Sequence, residues 1–371
     1  MDAPTVKLRA PDAKSGSCGL GHACNFCPQE AECSLDKPAH NRELITSRLG
    51  LMGQVVMVLG NKGGVGKSTV AANLAAALAR QGFRVGLGDA DIHGPNAGVF
   101  FGQQGQRVKV GTGGIRPPRY RSEDGATELR LGSLAMLLPE TDSPVVWRDA
   151  YKFDYIHHLV GSFDWGPLDF WVLDMPPGTG NELITLCDLL EGTRLAALLV
   201  TTPQAVALHD SLKAARFCRE RGVPLLGLVE NMAGLVCPHC GEEIQLFPRD
   251  ALFDCLTTDG VATLAQLPLS PMLAFGSDAG VPIVDAAPDS LEAETFVDLA
   301  RHCAQDLLSE GQNSLVDALR DQLVEAALIS PTQLAALMDQ QGDGNAAQAL
   351  QADLPALVAA ERQRLEQARR P

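Results

Sequence analysis

A chain of 371 residues that is 46% hydrophobic and 20% charged can bury a large core and reads as an ordinary globular protein, not a disordered one. Its net charge of −15, from 30 basic and 45 acidic residues, repels a phosphate backbone and argues against nucleic-acid binding. The longest apolar runs, such as "LAALLVTT" at 195–202, fall short of the ~20 residues that span a bilayer, and "MDAPTVKLRAPDAK" lacks a signal-peptide core, so a cytoplasmic protein with no membrane partner is expected.

Residues 1–45 read as a polar, cysteine-rich segment without a sustained helical or strand period. Cys18, Cys24, Cys27 and Cys33 are spaced C-x5-C-x2-C-x5-C, close enough for four ligands to close one site within a single chain. Four thiolates suit zinc as well as an iron–sulfur cluster. His22 lies between them and reads as a solvent-exposed loop residue, with ligation in place of one cysteine as the alternative.

From "QVVMVLG" (54–60) onward, short β-branched runs alternate with helical patterns; "RVGLGDA", "LDFWVLDM", "RLAALLVTT" and "VPLLGLVEN" are the next buried-strand candidates. Such alternation predicts an α/β fold over 46–310, a mostly parallel sheet covered by helices on both faces. Between the first strand and the helical "VAANLAAALARQG" runs "GNKGGVGKST", the setting a phosphate-binding loop needs. Gly63, Gly64 and Gly66 let backbone N–H groups turn inward on phosphate oxygens, with Val65 and Thr69 in the same cradle. Lys67 neutralises the β and γ phosphates of ATP, and the Ser68 hydroxyl can ligate Mg2+. Asn61 stands where the first glycine of the pattern is usual.

Asp89 and Asp91 end one strand and Asp174 another, as carboxylates suited to the attacking water and the Mg2+ shell or to capping the next helix. The stretch 102–125, rich in Gly, Arg and Gln, reads as an irregular excursion. Nothing around His157 and His158 suggests ligation, and Cys187, Cys218, Cys255 and Cys303 read as buried small hydrophobes. "CPHC" presents Cys237 and Cys240 as half of a tetrahedral thiolate site for Zn2+ or [4Fe-4S], without a second such pair nearby. Residues 311–371 read as a helical C-terminal extension.

The second lysine of "KGGVGKS" resembles the deviant Walker A family of MinD, ParA and Mrp-type ATPases. That resemblance implies a homodimer closed on ATP, Lys62 acting in trans, Asp91 in switch I activating water, Asp174 as the Walker B-like acid ahead of a Pro-Pro-Gly switch II, and Asn231 reading the adenine edge. One departure is Asn181, where the family usually has Asp.

"ENMAGLVCPHCGEEIQLF" looks like the segment in which Mrp-type scaffold ATPases share a labile [4Fe-4S] cluster between subunits, and the N-terminal cysteines resemble the cluster motif of the cytosolic iron–sulfur assembly scaffolds. In those scaffolds the first cysteine lies farther upstream than Cys18 does here. The implied function is an ATP-hydrolysing scaffold that assembles a [4Fe-4S] cluster on a homodimer and transfers it to apo-proteins. Two rivals are a MinD/ParA-like positioning ATPase with structural zinc sites and an ATP-dependent electron donor resembling the nitrogenase iron protein. The second fits poorly, since no cysteine falls between Cys33 and Cys187.

Overall fold

The computed structural model describes residues 33–92, 94–106, 108–111, 114–137, 155–237, 239–247 and 260–309. Cys18, Cys24, Cys27, Cys255 and the extension from 311 on lie outside these residues.

The chain opens with α1 (Lys37–Leu49), β1 (Met52–Leu59), α2 (Lys67–Arg80), β2 (Val85–Asp89) and the short α3 (Ala97–Phe100). The strands β3 (Lys109–Gly111), β4 (Gly114–Arg116), β5 (Arg119–Arg121) and β6 (Glu128–Ser133) follow, then β7 (Leu168–Asp174), α4 (Asn181–Leu189), β8 (Arg194–Thr201), α5 (Ala205–Glu220) and β9 (Leu225–Asn231). A hairpin of β10 (Leu235–Val236) and β11 (Glu243–Ile244) leads to β12 (Thr263–Leu267), α6 (Pro271–Ala279), α7 (Ile283–Ala286) and α8 (Leu291–Ser309). The main sheet runs β12-β9-β8-β1-β7-β2-β6-β5 and is parallel except for the β5–β6 edge pair.

The predicted strands are central because both of their faces are covered. In β1, Val56 and Val58 join a cluster with Leu74, Phe296 and Leu299, while Val55, Met57 and Leu59 join one with Leu159, Leu183 and Leu208. Period-two alternation therefore sends neighbouring residues into two separate apolar layers, and a strand without a polar face results. Helix α2 is buried almost all round, as its run of alanines allows: it lies between the sheet and α8.

Two sequence expectations need correction. The stretch 102–125 is not wholly irregular: β3 and β4 pair antiparallel within it, and β5 adds an antiparallel edge to the main sheet. Such short strands with few apolar residues carry little periodicity to read. Helix α1 crosses the boundary expected at 45/46; Asp36 caps it by accepting the Ala39 N–H at 3.2 Å, and Pro38 stands in its first turn. Its buried face is only His40, Leu44 and Ile45, too narrow to stand out among polar neighbours. No helix among the described residues is long and apolar enough to cross a membrane.

Candidate nucleotide and thiolate site

The loop between β1 and α2 wraps the C-terminal edge of the sheet, where open α/β sheets bind ligands. Gly64 and Gly66 both adopt left-handed backbone, at φ 80° and 92°, and Gly66 is the N-cap of α2. This conformation directs the loop's N–H groups toward an anion at the positive end of the helix. Lys67 is buried, and its Nζ donates to the Lys62 carbonyl at 3.2 Å. Burial pulls the ammonium pKa down, opposed by the charges of Asp174 and Asp91, so lysine and both carboxylates share one electrostatic neighbourhood.

Asp89 and Asp174 sit side by side in register at the ends of β2 and β7. Their roles differ. One oxygen of Asp89 accepts the Ala97 N–H and the Ser133 hydroxyl, each at 3.0 Å, and the other accepts the Asp91 N–H at 3.1 Å. Asp89 thus fastens the loop that follows, and desolvation, then the neighbouring Asp174, pushes its pKa well up. Asp91 is half-buried and accepts the Gly94 N–H at 3.2 Å.

Asp174 accepts the Ser68 hydroxyl, while its Oδ1 is buried without a hydrogen-bond partner. Burial raises its pKa to about 7 against the pull of Ser68 and Lys67. An orphaned carboxylate oxygen beside a serine hydroxyl is a hard-oxygen donor set, and it fits a hydrated divalent cation. Asn61, whose Oδ1 is likewise buried without a partner, faces the Pro-Pro-Gly loop at Gly178.

Asn231 has a structural task the sequence did not disclose. Its amide donates to the Val65 carbonyl at 2.9 Å, propping the loop from the end of β9. A Cβ on Gly66 would stand 2.1 Å from that amide nitrogen. Gly66→Ala is therefore expected to weaken nucleotide binding by at least ~10-fold, from left-handed strain of about 1–3 kcal/mol plus displacement of Asn231. Titration with a fluorescent ADP analogue measures it; unchanged affinity would show that the loop tolerates the displacement. Gln204, at the N-cap of α5, is a second residue the sequence did not single out: it accepts from Lys62 Nζ at 3.2 Å.

Beyond Asn231 the chain turns through Met232, a non-glycine residue at φ 55°, into the β10–β11 hairpin. The hairpin tip is closed by Cys237 N–H to the Glu242 carbonyl and Gly241 N–H to the Cys237 carbonyl, both at 2.9 Å. Backbone N–H groups of Cys240 and then His239, with the Cys240 thiol, donate to the Cys237 sulfur and lower its pKa. A sulfur so surrounded favours the thiolate, the form that binds metal. Cys240 is exposed beside it. Among the described residues no group of three or more His, Cys, Asp or Glu could hold a metal ion, so Cys237 and Cys240 stand there as a pair. Cys33 is half-buried just ahead of α1.

Residues 52–304 match the ParA family described as "NUBPL iron-transfer P-loop NTPase". The chain is 40% identical over 257 residues to an iron-sulfur cluster carrier protein of Pyrococcus abyssi, an alignment covering 68% of this chain and 86% of that protein. It is 40% identical over 251 residues to an iron-sulfur cluster carrier protein of Aquifex aeolicus, covering 68% of this chain and 67% of that one. A nucleotide-binding protein of Archaeoglobus fulgidus, solved in complex with ADP, superposes with a TM-score of 0.56 at 31% identity, over 68% of this chain and 98% of that one.

Proposed function

Because the chain belongs to the ParA family of P-loop NTPases, in the branch described by iron transfer, we propose that it is an ATPase that carries iron–sulfur clusters and delivers them to apo-proteins. The observation that carries this reading is the continuity between two sites. Asn231 props the phosphate loop, and six residues later the same segment presents Cys237, its sulfur surrounded by N–H donors.

Each residue then has a chemical task. The left-handed glycines turn backbone N–H groups onto the phosphates of ATP, and Lys67 neutralises their charge. Ser68 and Asp174 would hold Mg2+, which when bound offsets charge building on the transferred phosphoryl group. Asp91, on a loop fastened by Asp89, orients the attacking water, and Asn61 faces the switch II loop. Lys62 reaches the nucleotide of a second copy. An isologous contact between two copies brings each Cys237–Cys240 pair to its symmetry mate, and the four thiolates hold the cargo, a [4Fe-4S] cluster. Two pairs on separate chains can part, which suits a carrier that must release what it binds. Cys18, Cys24, Cys27 and Cys33 would close a second, tighter site within each chain.

The test is anaerobic reconstitution of the full chain with iron and sulfide in the presence of a non-hydrolysable ATP analogue, followed by Mössbauer spectroscopy and incubation with an apo iron–sulfur protein. A [4Fe-4S] signal that leaves the chain and activates the acceptor is the expected result. Tightly bound zinc, with neither cluster signal nor acceptor activation, would favour the positioning-ATPase alternative.

A further inference from the structure

We infer that Tyr155 is a positioning residue for nucleotide hydrolysis, linking helix α1 to the loop that follows β2. The inference rests on the ATPase reading and adds to it a residue to which the sequence patterns assign no chemistry. Tyr155 is 1% exposed, and its hydroxyl donates to the Asp89 backbone carbonyl at 2.6 Å while accepting the Leu134 N–H.

Asp89 is where the loop bearing Asp91 leaves the sheet. Its side chain gathers the Asp91 and Ala97 N–H groups, and so ties both ends of that loop. A carboxylate cannot hold its own carbonyl in place; Tyr155 does so from the other side. Among the described residues, Tyr155 is the side chain that holds the Asp89 backbone from outside the sheet. A hydrogen bond buried at this depth is costly to break without a replacement.

Tyr155 lies in a helical segment, described over 155–162, that ends in a π turn with His158 Nδ1 2.9 Å from the Ser162 hydroxyl. This segment is the surface on which α1 packs. Gly161 meets Ile45 so closely that a Cβ there would lie 2.8 Å from Ile45 Cγ1, and Arg48 pairs with Asp164 at 2.7 Å. Since α1 begins four residues after Cys33, α1 and this packed surface connect the chain at Cys33 to the Asp89 carbonyl. The chain of contacts is physically continuous from Ile45 to Asp89.

Tyr155→Phe removes the hydroxyl and little else. Steady-state ATP hydrolysis by the full chain should show kcat reduced about tenfold with KM within about twofold, because the loop is misplaced only where water is oriented. Gly161→Ala, or the milder Arg48→Gln should the first not fold, should lower kcat in the same sense. Combined with Tyr155→Phe, either should add little, as members of one path do. Wild-type kcat in Tyr155→Phe, or a loss confined to the urea midpoint, would overturn the positioning role. Independent multiplication of the two defects would overturn the link to α1. A wild-type chain unable to hydrolyse ATP would instead sink the ATPase reading and this inference together.

Discussion

Replacing Cys237 and Cys240 together with alanine is expected to lower cluster transfer to an apo-acceptor by at least ~100-fold, beyond what removal of an outer-shell partner costs a metal site. Nucleotide binding should survive, because this segment braces the phosphate loop through the Asn231 amide on the Val65 carbonyl, which neither substitution alters. The double variant should also lose the cluster absorbance that the proposed nucleotide-dependent pairing predicts, while any cluster on the N-terminal cysteines remains. Anaerobic spectra with and without the non-hydrolysable analogue measure both. Undiminished transfer by the variant would move the delivered cluster to the N-terminal cysteines. If the proposed bridging site forms, the single Cys240→Ala should be nearly as severe, since removing one sulfur from each copy takes two of its four ligands.

Lys62→Ala is expected to lower ATP hydrolysis by about 10³-fold, the scale seen when a cation supplied across an interface is removed from a phosphoryl-transfer site. In the present structure Lys62 Nζ rests on Gln204 Oε1 at 3.2 Å, and its carbonyl accepts from Lys67 Nζ. Deleting the side chain leaves that carbonyl in place, so ATP affinity should change far less than kcat. Mixing separates an action in cis from one in trans. Lys62→Ala and Lys67→Ala chains, each inactive, should recover partial hydrolysis together, because a mixed pair contains one site with Lys67 at home and Lys62 from its neighbour. A mixture as inactive as its components would confine Lys62 to its own site.

The legible parts of this fold are those where local sequence and tertiary environment ask for the same thing. Strands β1, β2, β7, β8 and β9 are covered on both faces, so their buried runs are continuous and visible. The phosphate loop is equally visible, since left-handed backbone at Gly64 and Gly66 demands glycine at fixed offsets. Where a residue acts through a distant partner, nothing local announces it. Asn231 and Val65 are 166 residues apart, Tyr155 and Asp89 are 66 apart, and neither pair leaves a periodic trace. Asp89 and Asp91 look interchangeable as two acids at a strand end. The difference lies in the donors around them, which hold Asp89 to fastening the loop and leave Asp91 half-exposed beside it.

Burial also sorts the sulfur atoms. Cys187, Cys218 and Cys303 sit in apolar surroundings that push their thiols up to about 11, 12 and 12, whereas the hairpin lowers Cys237. At neutral pH those three remain protonated and poorly nucleophilic. Free ferrous iron, sulfide and mild oxidants therefore find few wrong addresses among the described cysteines. A protein that handles reactive inorganic cargo is in this way guarded against misloading by the same apolar layers that hold its sheet together.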